Sequence, residues 1–190
     1  LVVTATLNGN VESTSVPVTV VDPARIRLYA SADTYVESST ADTNYGTQYG
    51  MLTKPPVNGS ADRVALMRFD LSPILGKEVT SAVLTNENVV SGGSTDPVTV
   101  RVDAHEVTGA WDENTVTYSS KPDLGATVGS FLSTRSTATA SADLTAFVKA
   151  RAGGDVGPMS LGLTQDDAGN GARLVTVSSR ESGKGAYLDV

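Results

Sequence analysis

The chain has 190 residues, no cysteine, 14 basic against 21 acidic side chains and a formal net charge of −7. That length buries one core without covalent staples, and the missing thiols exclude disulfides and thiolate metal sites. The acidic balance argues against a nucleic-acid partner, whose affinity comes mainly from phosphate neutralisation, and no apolar run approaches the roughly 18 residues of a membrane-spanning helix.

Alternating apolar positions broken by Gly, Asn, Asp, Ser and Thr run from end to end, the pattern of an all-β chain. The start at Leu1, without Met or a leader pattern, is expected of a mature or excised piece of something longer. Val2 to Leu7 alternates, Asn8-Gly9-Asn10 supplies a turn, and Val16 to Val21 alternates again, so residues 1–22 read as a hairpin. Two strands are marginal alone. This hairpin therefore packs on the main domain or closes a preceding one, with residues 22–24 as linker and the main domain from Arg25.

In the main domain, Ile26, Leu28 and Ala30 alternate with Arg27 and Tyr29, and a polar loop follows from Ser38 to Gly50. In the strand Val64 to Leu71, Ala65, Met67, Phe69 and Leu71 form the expected core face. Val64, Leu66, Arg68 and Asp70 lie opposite, where Arg68 and Asp70 are an ion-pair stripe or part of a binding surface. Val79 to Val90 is the next strand. Val98, Val100, Val102 and Ala104 then alternate with Thr99, Arg101, Asp103 and His105, the only histidine, which reads as an exposed sheet residue.

The run Trp111-Asp112-Glu113-Asn114-Thr115-Val116-Thr117-Tyr118 concentrates the only tryptophan, two carboxylates and the start of an alternating Val116/Tyr118 strand. One segment reads as helix: Asp143 caps it, Leu144, Phe147 and Val148 share a face, Lys149 and Arg151 complement the dipole, and Gly153-Gly154 ends it. Met159 to Leu163, Arg173 to Ser178 and Ala186 to Val190 supply three more strands, the last closing a sheet at the chain end.

Aromatic rings match the C–H face of a pyranose while polar tips bond hydroxyls. Tyr35, Tyr45, Tyr49, Trp111 and Tyr118 are the available rings; Trp111 reads as a core plug, and Tyr45 and Tyr49, on a Gly-punctuated loop, are the better platforms. Lys54, Arg63, Arg68, Lys121, Arg173 and Arg180 are able to gather into a cleft for sugar carboxylates. Structural ion pairing is the competing role, above all for Arg180-Glu181. Asp33, Asp42, Asn44, Asp112, Glu113, Asp143 and Asp189 offer hard oxygens for a structural calcium ion, with Asp33, Asp42 and Asn44 the leading set, although no EF-hand spacing is present. Asp143 as a helix cap and Asp42 with Asn44 as Asx-turn residues have structural explanations.

A single histidine rules out a two-histidine zinc site within the chain, and no Gly-x-Ser-x-Gly elbow, phosphate loop or dinucleotide fingerprint occurs. Asp112 and Glu113 are adjacent, so a strand would point them to opposite faces and not as a poised dyad. The segment therefore reads as a binding unit without catalysis.

Taken in order, Ala32-Asp33-Thr34-Tyr35-Val36, Asp42-Thr43-Asn44-Tyr45-Gly46, Leu66-Met67-Arg68-Phe69-Asp70-Leu71, the Trp111 run with Lys121-Pro122, Asp143-Leu144-Thr145 and Ser179-Arg180-Glu181 resemble the DNRLRE domain. That family is also classed as carbohydrate-binding module family 96, and the likeness covers about residues 27 to 190. It implies a jelly-roll-like antiparallel β-sandwich appended to a secreted bacterial polysaccharide lyase or glycoside hydrolase. Tyr118 stands where members commonly carry a second tryptophan, and Thr85-Asn86-Glu87 is more polar than usual. Residues 1–22 resemble the closing strands of a bacterial immunoglobulin-like domain. The expectation is thus an extracellular, non-catalytic module whose partners are a polysaccharide, with an acidic one preferred, and the catalytic domain of the same polypeptide. It would act by raising local substrate concentration. The rival is a structural spacer or adhesion module that binds no glycan.

Overall fold

A computed structural model describes residues 2–7, 10–15, 25–90, 99–135, 138–154, 157–165 and 173–190. Strands β1 (Val2–Leu7) and β2 (Asn10–Ser15) form a two-stranded sheet of their own, with Leu7 opposite Asn10. The return strand thus lies at Asn10–Ser15, earlier than expected. Once Leu7 faces Asn10, the ladder runs on through polar residues without needing an apolar alternation to set its register. The expected strand at Val16 to Val21 falls outside the described residues.

The main fold is antiparallel throughout. It contains β3 (Arg27–Glu37), β4 (Gly50–Thr53), β5 (Arg63–Phe69), β6 (Val83–Val90), β7 (Thr99–Val107), β8 (Leu124–Thr134), β9 (Thr139–Asp143), β10 (Met159–Gln165), β11 (Val175–Ser178) and β12 (Tyr187–Asp189). Their order is β4-β11-β6-β12-β3-β5-β10-β7-β8, with β9 also on β6. The path folds back on itself, because β9 meets β8 and β4 lies against β3 and β5. The result is a nearly closed sandwich.

Its core is filled by the inward side chains of each strand, among them Leu28, Met67, Phe69, Leu84, Val102, Leu161, Val177 and Leu188. The ends of the domain are sewn together, since Ile26 N–H donates to the Val190 carbonyl at 2.8 Å and Val190 N–H returns the bond at 2.9 Å.

The second face of β5 departs from expectation. Val64 and Leu66 are as buried as Met67, in a smaller core with Ala32, Val36, Val107, Trp111 and Val116. The cause is the connection after β7, which turns back over the outer face of β3 and β5 instead of leaving it to solvent. Trp111 to Tyr118 is accordingly a series of turns, not a strand start. Asp70 accepts the N–H and hydroxyl of Ser72, and among the described residues it joins no ion-pair stripe.

Helix α1 (Thr145–Ala152) is capped one residue later than expected: Leu144 occupies the N-cap, and Asp143 Oδ1 accepts the Thr145 N–H at 2.8 Å. His105 is half-buried, not exposed, with Nε2 2.9 Å from Thr164 Oγ1 and Nδ1 3.2 Å from the Gly125 carbonyl. The unexpected long strand β8 covers it on one side. Among the described residues, no helix is long and apolar enough to cross a membrane.

Candidate functional site

The period-two pleat that buries Leu28 and Leu188 turns their neighbours Tyr29 and Tyr187 outward. β3 and β12 place these two residues directly opposite one another. Their rings meet edge-on with centroids 6.1 Å apart, and Tyr29 is 65% exposed. Arg27 lies 3.8 Å above the Tyr187 ring while its guanidinium holds Asp189 in a bidentate pair at 2.7 and 2.8 Å. Asp189, one of the candidate calcium oxygens, is thereby taken up.

The opposite wall comes from the 3-10 turn Arg180–Ser182 and from Gly183, whose φ of 75° favours glycine. With Glu87, Lys184, Gly185 and Ala186 these residues enclose an open groove of about 550 Å³. Lys184 Nζ sits 3.3 Å from Glu87 Oε2, with its side chain 64% exposed. The groove thus offers an aromatic edge, two cations and two carboxylates, a set suited to sugar C–H faces, hydroxyls and acidic substituents.

Behind the Arg180 wall lies a carboxylate cluster. The register of β3 against β5 shifts between Ala30 and Ala32, so Ser31 drops out of the ladder and its carbonyl accepts Arg180 Nη1 at 2.7 Å. Asp33 follows, 1% exposed, with its backbone N–H donating to Glu113 Oε1 at 2.6 Å. Asp33 Oδ2 accepts the Arg180 backbone N–H at 3.0 Å, and Arg180 Nη2 lies 3.3 Å from Glu113 Oε2 and 3.5 Å from Glu181 Oε1. One oxygen from each of Asp33, Glu113 and Glu181 lies within 4.8 Å of the others. Burial pushes the Asp33 carboxyl up to about 7, the Arg180 N–H pulling the other way and the charges of Glu181 and Glu113 adding to the rise.

The loop after β3 clamps this arrangement. Asn44 Nδ2 donates to the carbonyls of Glu113 and Val116, both at 2.8 Å, and its Oδ1 accepts the Gly46 N–H at 3.1 Å. A Cβ on Gly46 would stand 2.2 Å from the Glu113 carbonyl oxygen, so only glycine lets the two backbones meet. Asp112 shapes the same turn by accepting the Asn114 N–H.

The expected site residues separate in space. Arg180 lines the groove. Tyr45 is half-buried, stacked on Tyr35 at 4.3 Å with its hydroxyl 2.6 Å from Thr40 Oγ1. Tyr49 is 74% exposed and its carbonyl accepts the Ser179 N–H, but its ring is not part of the groove lining. Arg68 lies 5.1 Å from the Trp111 ring and donates to the Trp111 carbonyl, on the far side of β5. Lys121 covers the Tyr118 ring at 4.9 Å, and Arg173 stands half-buried just before β11. Of the leading metal set, Asp33 is in the carboxylate cluster, Asn44 is consumed as the clamp, and Asp42 is exposed and outside the cluster.

Sequence reasoning passed over Tyr29, Tyr187 and Lys184, which line the groove. Alternation alone marked both tyrosines as outward. What was missing was the pairing of β3 with β12, which sets residues 158 positions apart side by side.

Residues 24–190 match the family model of carbohydrate-binding module family 96. No curated protein matches the sequence.

Proposed function

Because the chain belongs to carbohydrate-binding module family 96, we propose that the Tyr29–Tyr187 groove is the surface on which this carbohydrate-binding module holds its polysaccharide. The observation that carries the assignment is the exposed Tyr29 ring beside Tyr187, Arg180 and Lys184. An exposed aromatic edge, unlike a buried one, has an unoccupied face for a pyranose, and the groove volume falls in the usual range for ligand sites.

An acidic polysaccharide is the ligand class. Lys184, the most solvent-directed cation of the groove, is able to exchange Glu87 for a uronate carboxylate, while Arg180, held by Ser31, Glu113 and Glu181, adds positive charge to the groove wall. A neutral glycan is the second reading, favoured by the local balance of Arg180 and Lys184 against Glu87 and Glu181. The segment contributes attachment and no chemistry, within a secreted, extracellular polysaccharide lyase or glycoside hydrolase, where tethering raises the effective substrate concentration. Residues 25–190 are the binding unit, and residues 1–24 are the closing hairpin and linker of a preceding immunoglobulin-like domain.

Affinity electrophoresis against alginate, xanthan, hyaluronan, pectin and neutral glucans tests this directly. Retardation in the acidic gels that fades at high salt, and is lost in Tyr29→Ala, supports the reading. Retardation only by neutral glucans overturns the acidic preference. Free migration of the folded protein in every gel returns the chain to the role of a spacer.

A further inference from the structure

We propose that Asp33, Glu113 and Glu181 form a calcium site that ties the Arg180–Ser182 turn to β3 and to the turn after Trp111. The three residues come from segments far apart in sequence, yet each places a carboxylate oxygen within 4.8 Å of the other two. A coordination shell with Ca–O distances of about 2.4 Å spans this separation.

Proximity alone is not the reason. Among the described residues, the donors that reach the cluster leave two of its six carboxylate oxygens without a partner. Asp33 Oδ2 is taken by the Arg180 N–H, Glu113 Oε1 by the Asp33 N–H, and Glu113 Oε2 and Glu181 Oε1 by the Arg180 guanidinium. Asp33 Oδ1 and Glu181 Oε2 are both buried with no hydrogen-bond partner, and Asp33 as a whole is 1% exposed. A carboxylate oxygen withdrawn from water and given no donor is costly, so this position calls for an occupant.

Charge selects its kind. With all three carboxylates ionised, one arginine leaves two negative charges, which one divalent cation neutralises. The donors are hard oxygens with no nitrogen or sulfur ligand among them, the preference of calcium and magnesium over transition metals. Calcium suits the place better, because it accepts irregular oxygen cages supplied by protein, whereas magnesium keeps most of its water. The remaining positions of its shell would be filled by water from the groove side, where Glu181 reaches the surface. Arg180 stays as the outer clamp, its second nitrogen on the Ser31 carbonyl.

Calcium binding at this cluster is independent of glycan binding and is measured without a glycan. The whole chain is stripped with a chelator, dialysed, and titrated with calcium chloride by calorimetry, with thermal unfolding followed in parallel. The expected result is a one-to-one binding heat and a rise in Tm of about 5–10 °C at a hundredfold excess over Kd. At the same calcium concentration, Kd should rise at least tenfold and the Tm shift fall to about half or less in Glu113→Gln, whose amide oxygen still accepts the Asp33 N–H, and in Glu181→Gln at the more open rim. Glu78→Gln, an exposed carboxylate elsewhere, should change neither. Absence of heat and of any Tm shift in the folded wild type overturns the site, as does calcium stabilisation of equal size in Glu113→Gln and Glu181→Gln. Far-UV circular dichroism establishes that each variant is folded.

Discussion

Of the three places among the described residues where an arginine lies over an aromatic ring, two end in opposite settings. At the groove, Arg27 lies 3.8 Å from the Tyr187 ring and the neighbouring Tyr29 stays open to solvent. On the far side of β5, Arg68 lies 5.1 Å from the Trp111 ring, but Trp111 is only 8% exposed and its indole N–H is spent on Ser160 Oγ at 3.2 Å. The chemistry of the two pairs is alike. What differs is the covering chain: the turns after β7 bring Trp111 down onto Val64 and Leu66, whereas nothing described folds over Tyr29. In a carbohydrate-binding module the only tryptophan is the obvious candidate platform, and here it is the plug of a second core.

Removing each ring should therefore break different properties. Trp111→Ala should lose about 3–5 kcal/mol of stability, as expected for a large aromatic removed from a packed site. Denaturant unfolding measures the loss, while glycan retardation of the fraction that remains folded should persist. If Trp111→Ala abolished retardation in folded protein, the contrast between the two sites would collapse.

Gly46→Ala comes next. Its new Cβ would press on the Glu113 carbonyl oxygen, a backbone atom at 2.2 Å that has no free side chain to yield. We expect a loss of about 1–3 kcal/mol, in the range of overpacking changes, together with displacement of Glu113 and a weaker calcium response. An unchanged unfolding midpoint would mean that the clamp between these loops is looser than its geometry.

Tyr29→Ala should show the reverse balance. Its ring is exposed, so unfolding free energy should stay within about 0.5 kcal/mol of wild type, while glycan affinity falls about tenfold or more, as for an aromatic anchor. Isothermal titration with an oligosaccharide, paired with a thermal melt, reads both in one preparation.

The smallest effect concerns pH. The hydrogen bond from Arg27 holds the Asp189 carboxyl below the ordinary value of 3.8. A depressed folded-state pKa contributes stability that is present above 3.8 and disappears as pH falls through the folded value. Asp189→Asn should accordingly be less stable than wild type at neutral pH, with the gap closing on acidification below about pH 4. A gap that held constant from pH 7 to pH 2 would show that the pair contributes through packing and not through charge.

The alternation of Leu28, Ala30, Met67, Phe69, Leu188 and Val190 was enough to read strands, an inner face and a sandwich closed by its last strand, and the ordered motifs pointed to the family. Composition also sufficed to set aside thiol chemistry. Strands without alternation escaped notice: β8 carries Gly125, Gly129 and several small polar residues, and it pairs because β7 offers a ladder, not because its own pattern demands one. The motif residues were visible as types, but their tasks were not. Asn44 and Gly46 read as an ordinary polar turn until the Glu113 carbonyl is seen lodged against them.

The division has a physical cause. Local sequence sets which side chains share a face, because the pleat repeats every two residues whatever surrounds it. It does not say what covers that face, since coverage depends on segments distant in the chain. Val64 and Leu66 became core only because the Trp111 turns lie over them. Tyr29 and Tyr187 became neighbours only because the first and last strands of the domain pair. Asp33, Glu113 and Glu181 became one cluster only where a shifted register, a clamped loop and a 3-10 turn converge.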